Sequence, residues 1–284
     1  MAGESEFVAF WNKVLVPKFL RFQDILVEGF GKHSRIVFER GAIASPGERV
    51  LDVGCGFGDT AIDLARQTGA NGQVVGIDCC DTFLDIGRRD AGNARVENIE
   101  WLEGDAETEN FDAPFDLWFS RFGTNFFSTP VAALRHLREQ LKPDGRAMMI
   151  VWQARDRNRW AALPREVVLR FLPEPEAPEH CGPGPFSMGD RELVTRQLQA
   201  AGYSDIAFTP VQADIMVGRT VDDAIDFQLA LGPSGEIWRE AGELAERRAE
   251  EIRAALHETL KPYLTDEGVL LPSASWCITA RNPG

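Results

Sequence analysis

Apolar positions recur along this chain at two periods, and the alternation between them predicts its architecture. From Phe7 to Val37 they fall at mixed spacings of three and four (Phe7, Phe10, Trp11, Val14, Leu15, then Phe22, Ile25, Leu26), which predicts helices interrupted near Pro17. After the Pro46-Gly47 turn, residues 49–53 read as a short buried strand running into glycines, with a helical pattern over 59–67. Further strands are predicted at 73–77, 99–102, 115–119 and 146–152, separated by helices at 82–91 and 131–141. A helix over 190–201, stopped by Gly202, leads to a strand at 206–211, and β-branched and aromatic residues mark a last strand at 275–280.

Seven strands alternating with helices predict an α/β fold with a doubly wound, mostly parallel sheet, covered on both faces. Two stretches fall outside that rhythm. Residues 154–189 are proline-rich and 219–271 mostly helical, and both follow strands in positions that would cover the carboxyl edge. The expected organisation is therefore amino-terminal helices forming a lid (1–45), a ligand-binding core (46–153), a cap insertion (154–189), a core continuation (190–218), a second helical cap (219–271) and the last core strand (272–284).

Charge and cysteine content narrow the function. Against 44 acidic residues stand 30 basic ones, a formal charge of -14 that repels a phosphate backbone, and Arg155, Arg157 and Arg159 form only a short basic cluster. No nucleic-acid partner is expected. No run of roughly 18–20 apolar residues is present, and Met1 to Glu6 lacks the basic start of a secretion signal, so a cytoplasmic protein without a membrane span is expected. Five cysteines without CxxC or Cys/His metal spacing read as reduced thiols with no metal, and a homodimer stays open.

The strongest chemical signal is Val50-Leu51-Asp52-Val53-Gly54-Cys55-Gly56-Phe57-Gly58, a strand running into glycines and then a helix. Glycines let a ligand approach the main chain, and the helix start offers free N–H groups. A dinucleotide fingerprint needs glycine where Asp59 stands, and a carboxylate there opposes a pyrophosphate. Asp78, ending the second strand, is placed to accept bonds from two ribose hydroxyls.

With these residues the chain resembles the class I S-adenosylmethionine-dependent methyltransferases, and among them the group containing the ubiquinone and menaquinone C-methyltransferases. The resemblance includes the glycine loop, Asp78, Gly104-Asp105-Ala106-Glu107, the segment from Phe115 to Gly123, Leu141-Lys142-Pro143-Asp144-Gly145 and the closing Ser275 to Arg281. It implies S-adenosyl-L-methionine as cofactor. Gly54, Cys55 and Gly56 would line its methionine portion with Asp52 near the ammonium. Asp78 would hold the ribose, Cys79 would lie against the adenine, Asp105 and Ala106 would bind the adenine edge, and Ser120 would close the site beneath the sulfonium.

The implied reaction is direct displacement onto an oxygen, nitrogen or carbon nucleophile of a small, planar or aromatic acceptor, with quinone-ring C-methylation as a narrower reading. A binding protein that keeps the fold without turnover is a rival, and a nucleotide-linked oxidoreductase is another, disfavoured by Asp59. His33 and His180 are the candidate bases. Arg121, Asn125, Phe126, Trp152, Trp160 and Phe186 are the candidate acceptor contacts, since they follow the ends of the fourth and fifth strands or lie in the first cap insertion.

Overall fold

The computed structural model describes residues 11–175 and 183–284. Among the described residues eight strands form: β1 (Arg49–Val53), β2 (Gln73–Asp78), β3 (Ile99–Glu103), β4 (Phe115–Arg121), β5 (Leu141–Trp152), β6 (Ser204–Met216), β7 (Leu264–Thr265) and β8 (Gly268–Arg281). The sheet order is β3-β2-β1-β4-β5-β8-β6, with β7 pairing on β8 off that path. Strands β3 to β5 along this order are mutually parallel, and β8 inserts antiparallel between β5 and β6. Four of the five β1 residues are buried, as a strand covered on both faces requires.

Because β8 opposes both neighbours, β5 and β6 point the same way. Trp152, the last residue of β5, lies opposite Ser275, whereas β6 continues to Met216 opposite Leu270. Thus β6 and β8 overrun the carboxyl edge as a two-stranded ribbon, longer at both ends than the predicted 206–211 and 275–280. Pro272 disguises the extension of β8 in the sequence. Pro210 sits on an edge strand, and Pro272 lies past the end of β5 where one side of β8 has no strand partner.

The helices α1 (Val16–Arg21), α2 (Gly31–Glu39), α3 (Asp59–Thr68), α4 (Asp81–Ala94), α5 (Pro130–Glu139), α6 (Arg159–Val168), α7 (Arg191–Ala200), α8 (Val221–Ala230), α9 (Gly232–Ala241), α10 (Glu243–Arg247) and α11 (Ala249–Leu260) divide into two sets. Those from α3 to α5, with α7, clothe the sheet faces. Meanwhile α6, α8, α9 and α11 pack Trp160, Val167, Phe227, Ile237 and Leu256 against Ile215 and Leu271 of the ribbon, in one buried cluster. The two insertions therefore share a core at the carboxyl edge.

The amino-terminal segment joins the same cluster through Phe22 and Ile25. It is pinned by an Arg21–Asp226 ion pair at 2.6 Å and by Lys18 Nζ donating to the Ala230 carbonyl at 2.9 Å. Between α1 and α2, Ile25–Phe30 is π-helical. Wider turns of this kind recur at functional sites. Among the described residues no helix is long and apolar enough to cross a membrane.

Candidate active site

The turn from β1 into α3 is built from glycines in left-handed backbone. Gly54 has φ 65° and Gly56 φ 52°. A Cβ at Gly54 would lie 3.0 Å from the Cα of Gly123, while one at Gly56 would stand in open space. The loop is thus packed against the end of β4 on one side and bare to a cavity on the other. Cys55 N–H donates to the Ile77 carbonyl at 3.0 Å, and Gly56 N–H donates to Asp78 Oδ2 at 2.8 Å.

Asp78 Oδ1 also accepts the Cys80 N–H at 3.1 Å. Burial raises this carboxyl from 3.8 to about 6, against the lowering pull of the Gly56 and Cys80 amides. An ionised carboxylate offers about four acceptor positions, so two remain for a ligand's hydroxyls. Cys79, beside it, has its thiol pushed up to about 12 by burial and the Asp78 charge, which makes it an inert neighbour.

A cavity of about 210 Å³ opens at this loop. Its lining combines Gly54, Cys55, Gly56, Thr60, Asp78, Cys79, Asp105, Ala106 and Glu107 with the apolar side chains of Phe19, Leu26, Phe30, Phe122, Phe126 and Phe127. Asp105 Oδ1 accepts the Glu107 N–H at 2.9 Å, and the Glu107 carboxylate accepts the amides of Ser128 (2.6 Å) and Thr129 (3.1 Å) at the start of α5. Glu107 therefore satisfies a helix start that its own sequence leaves uncapped, and so fixes the Phe126-Phe127-Ser128 wall.

The structure gathers seven of the nine expected cofactor residues around the cavity: Gly54, Cys55, Gly56, Asp78, Cys79, Asp105 and Ala106. Asp52 and Ser120 are fully buried behind the loop instead. Thr60 Oγ1 donates to Asp52 Oδ2 at 2.6 Å, the other Asp52 oxygen has no partner, and burial raises this carboxyl from 3.8 to about 7. Ser120 Oγ donates to the Val53 carbonyl at 2.8 Å, tying β4 to β1. Neither side chain faces the cavity.

Of the expected acceptor contacts, Arg121 and Phe126 line the cavity. Arg121 grips Asp59 with both terminal nitrogens, at 2.5 and 2.8 Å, and donates to Ser34 Oγ at 3.1 Å. Trp152 and Trp160 do not line it: they are 2% and 3% exposed and stand behind Phe122 and Phe30, with Phe186 a further 6.0 Å beyond Trp160. Asn125 is buried with both amide atoms unpartnered, and its carbonyl accepts from Gly184 and Ser187.

His33 is not placed as a base. It is fully buried, its ring nitrogens are held by Ser273 and Ser275, and burial together with Arg121 and Lys32 pushes its pKa down to about 3. A base must reach the acceptor's proton, and this ring reaches only the serines. His180 lies outside the described residues. Sequence reasoning gave no site role to Phe19, Leu26, Phe30 and Glu107: the first three come from the amino-terminal segment, and Glu107, inside the Gly104-Asp105-Ala106-Glu107 run, works across a gap in sequence.

With this geometry, comparison with known proteins is informative. A family model described as a methyltransferase domain matches residues 50–145. Aklanonic acid methyltransferase DauC of Streptomyces sp. (strain C5) is 32% identical over 169 residues, 56% of this chain and 76% of that enzyme. The 2-phytyl-1,4-naphtoquinone methyltransferase of Synechocystis sp. is 34% identical over 118 residues, 40% of this chain and 50% of that protein. In fold, the chain is similar to phosphoethanolamine N-methyltransferase 2 of Haemonchus contortus in complex with S-adenosyl-L-methionine (TM-score 0.58, 16% identity, 99% of this chain and 61% of that one). It is also similar to the YcgJ protein of Bacillus subtilis (TM-score 0.55, 19% identity, 89% and 99%). Matched through its glycine loop and across three quarters of the Streptomyces enzyme, the chain belongs to the class I S-adenosylmethionine-dependent methyltransferases, an enzyme family whose cofactor is S-adenosylmethionine.

Proposed function

We propose that this enzyme methylates a small, planar, largely apolar molecule of the quinone or aromatic polyketide kind, at an oxygen, nitrogen or carbon nucleophile. The observation that carries this reading is that one cavity joins the glycine loop and Asp78 to the apolar side chains of Phe19, Leu26, Phe30, Phe122, Phe126 and Phe127. Flat aromatic surfaces favour stacked or edge-on contact with a flat partner, and a few polar groups then fix its orientation. The relatives named for aklanonic acid and a phytyl-naphthoquinone support the same class of acceptor.

The residues present fit the cofactor. Bare main chain at Gly56 admits its amino-acid end, Asp78 retains acceptor capacity for ribose hydroxyls, and Asp105 with Ala106 lies where an adenine edge would rest. Bound S-adenosylmethionine supplies a methyl group already activated on a sulfonium. What this chain contributes is alignment: the glycine loop and Asp78 orient one partner, the phenylalanine wall orients the other and excludes water. Arg121, held by Asp59, lines the same cavity as a fixed cation. A cytoplasmic setting belongs to the same reading.

The test is a methyl-transfer panel with radiolabelled donor, comparing quinols and hydroxylated polyketide acids with small polar amines. Label in the aromatic acceptors supports the proposal. Label confined to polar amines would overturn the acceptor class, and tight adenosylhomocysteine binding without transfer to any acceptor would favour a silent binding protein.

A further inference from the structure

Phe122 is a bulky residue in left-handed backbone, with φ 63°. Large side chains rarely adopt this region, and residues held there against their preference cluster at functional sites. Two contacts hold it. Its N–H donates to the Ile150 carbonyl at 2.8 Å, and the following Gly123 is pressed against Gly54. The result is a ring that lines the cavity immediately beside the glycine loop.

Behind that ring lies a buried relay. Phe122 stacks on Trp152 with 4.0 Å between centroids and 9° between planes, and Trp152 meets the edge of His33 at 5.0 Å and 83°. His33 has one defined tautomer. Ser273 Oγ donates its proton to the Ala213 carbonyl at 2.6 Å, so it can only accept from His33 Nε2–H, at 2.8 Å. Nδ1 is then the lone-pair nitrogen and accepts the Ser275 hydroxyl at 2.7 Å. A residue of the amino-terminal arm is thereby fixed to two residues of β8, and the imidazole cannot rotate without breaking both bonds.

We propose that Phe122 selects planar acceptors, and that His33, locked between Ser273 and Ser275, is its positioning residue, acting through Trp152 and through its own edge contact with Phe122 at 6.0 Å. The proposal rests on the aromatic-acceptor reading for its substrate, but the relay can be read without one. A flat ring backed by a stacked indole presents a rigid surface, and rigidity is what lets a featureless aromatic wall discriminate between ligand shapes. Of the relay residues only Phe122 lines the cavity, so the relay should act on the acceptor and not on the cofactor.

Two serine variants test this, with Phe122→Leu beside them. Ser275→Ala removes the bond to Nδ1, and Ser275→Thr keeps a hydroxyl. Methyl transfer to menadiol at saturating donor gives KM and kcat, calorimetry gives adenosylhomocysteine affinity, and near-ultraviolet circular dichroism reports the Phe122–Trp152 stack. The expected result is a KM for menadiol raised about two- to tenfold in Ser275→Ala and Phe122→Leu, the scale of a lost aromatic contact. Adenosylhomocysteine affinity should stay unchanged and Ser275→Thr should restore KM, with the aromatic dichroism band reduced in Ser275→Ala. A wild-type KM in Ser275→Ala, or a parallel loss of adenosylhomocysteine affinity, would overturn the proposal. If wild-type enzyme transfers no methyl to menadiol but does to a hydroxylated polyketide acid, that acceptor takes its place in the KM comparison, and transfer to neither means that the acceptor reading fails. The relay is then decided by dichroism: a band lost in Ser275→Ala and recovered in Ser275→Thr supports it, and an unchanged band overturns it.

Discussion

The carboxylate of Asp78 accepts the main-chain N–H of Gly56 at 2.8 Å, so the side chain that ends β2 also holds the loop that follows β1. Loop and acceptor group are one unit. Asp78→Asn is predicted to weaken adenosylhomocysteine binding by about 1–3 kcal/mol, the range for hydrogen bonds to a charged group. The pH dependence has a definite sign. The folded carboxyl titrates near 6 because burial disfavours its charge, so affinity should fall as pH drops through about 6. Calorimetry across that range checks this, and a flat profile in wild-type enzyme would separate Asp78 from the ligand.

Two buried groups shift in opposite senses and predict opposite variants. Asp52 goes from 3.8 to about 7, so its proton favours the fold at low pH, and that contribution is lost as pH rises through about 7. His33 goes from 6.5 to about 3, so its contribution is present above 6.5 and lost as pH falls towards 3. Between about pH 4 and 6.5, Asp52→Asn should make stability rise more steeply with pH than wild type, and His33→Gln should make it fall. Urea midpoints across this range give both slopes. Equal slopes in the two variants would contradict the burial account.

Removing Asp59 leaves the Arg121 guanidinium poorly paired at 12% exposure. Asp59→Ala should cost about 2–4 kcal/mol in chemical denaturation, slightly under the range for a fully buried pair because Asp59 keeps some contact with solvent. The double variant Asp59→Ala with Arg121→Met should recover part of it. No recovery would mean that Arg121 gains its stability from Ser34 and packing instead.

Trp160 separates a packing role from a contact role. At 3% exposure, 4.8 Å from the Phe30 ring, it supports the cavity wall from behind. Trp160→Ala should lose about 3–5 kcal/mol of stability, as large-to-small core changes do. A thermal melt tests it. A midpoint within a degree or two of wild type would place Trp160 outside the core.

The core of the fold was legible because its signals are local. The 49–53 strand, the glycine loop, Asp78 and Asp105 each announce themselves within a few residues, and the expected seven-strand alternation appears in the sheet. The amino-terminal part of the wall was less legible because the π-helical Ile25–Phe30 shifts the phase of the helical repeat, so no single face can be read across Phe19, Leu26 and Phe30. Ser120 and Trp152 follow strand ends as acceptor or cofactor contacts would. Which way they point depends on tertiary packing: Ser120 turns to the Val53 carbonyl, Trp152 to the back of Phe122. Glu107 belongs to the Gly104-Asp105-Ala106-Glu107 run, but its capping of α5 across a gap in sequence is equally a tertiary fact.

The central claim is that one cavity holds the cofactor at the glycine loop and a planar acceptor against the phenylalanine wall. Its most direct test is a crystal structure of the enzyme with adenosylhomocysteine and menadiol bound together. The account predicts ribose hydroxyls on the Asp78 carboxylate and the naphthalene ring against Phe122 and Phe30, facing the sulfur. Adenosylhomocysteine without contact to Asp78, or menadiol bound away from that wall, would contradict it.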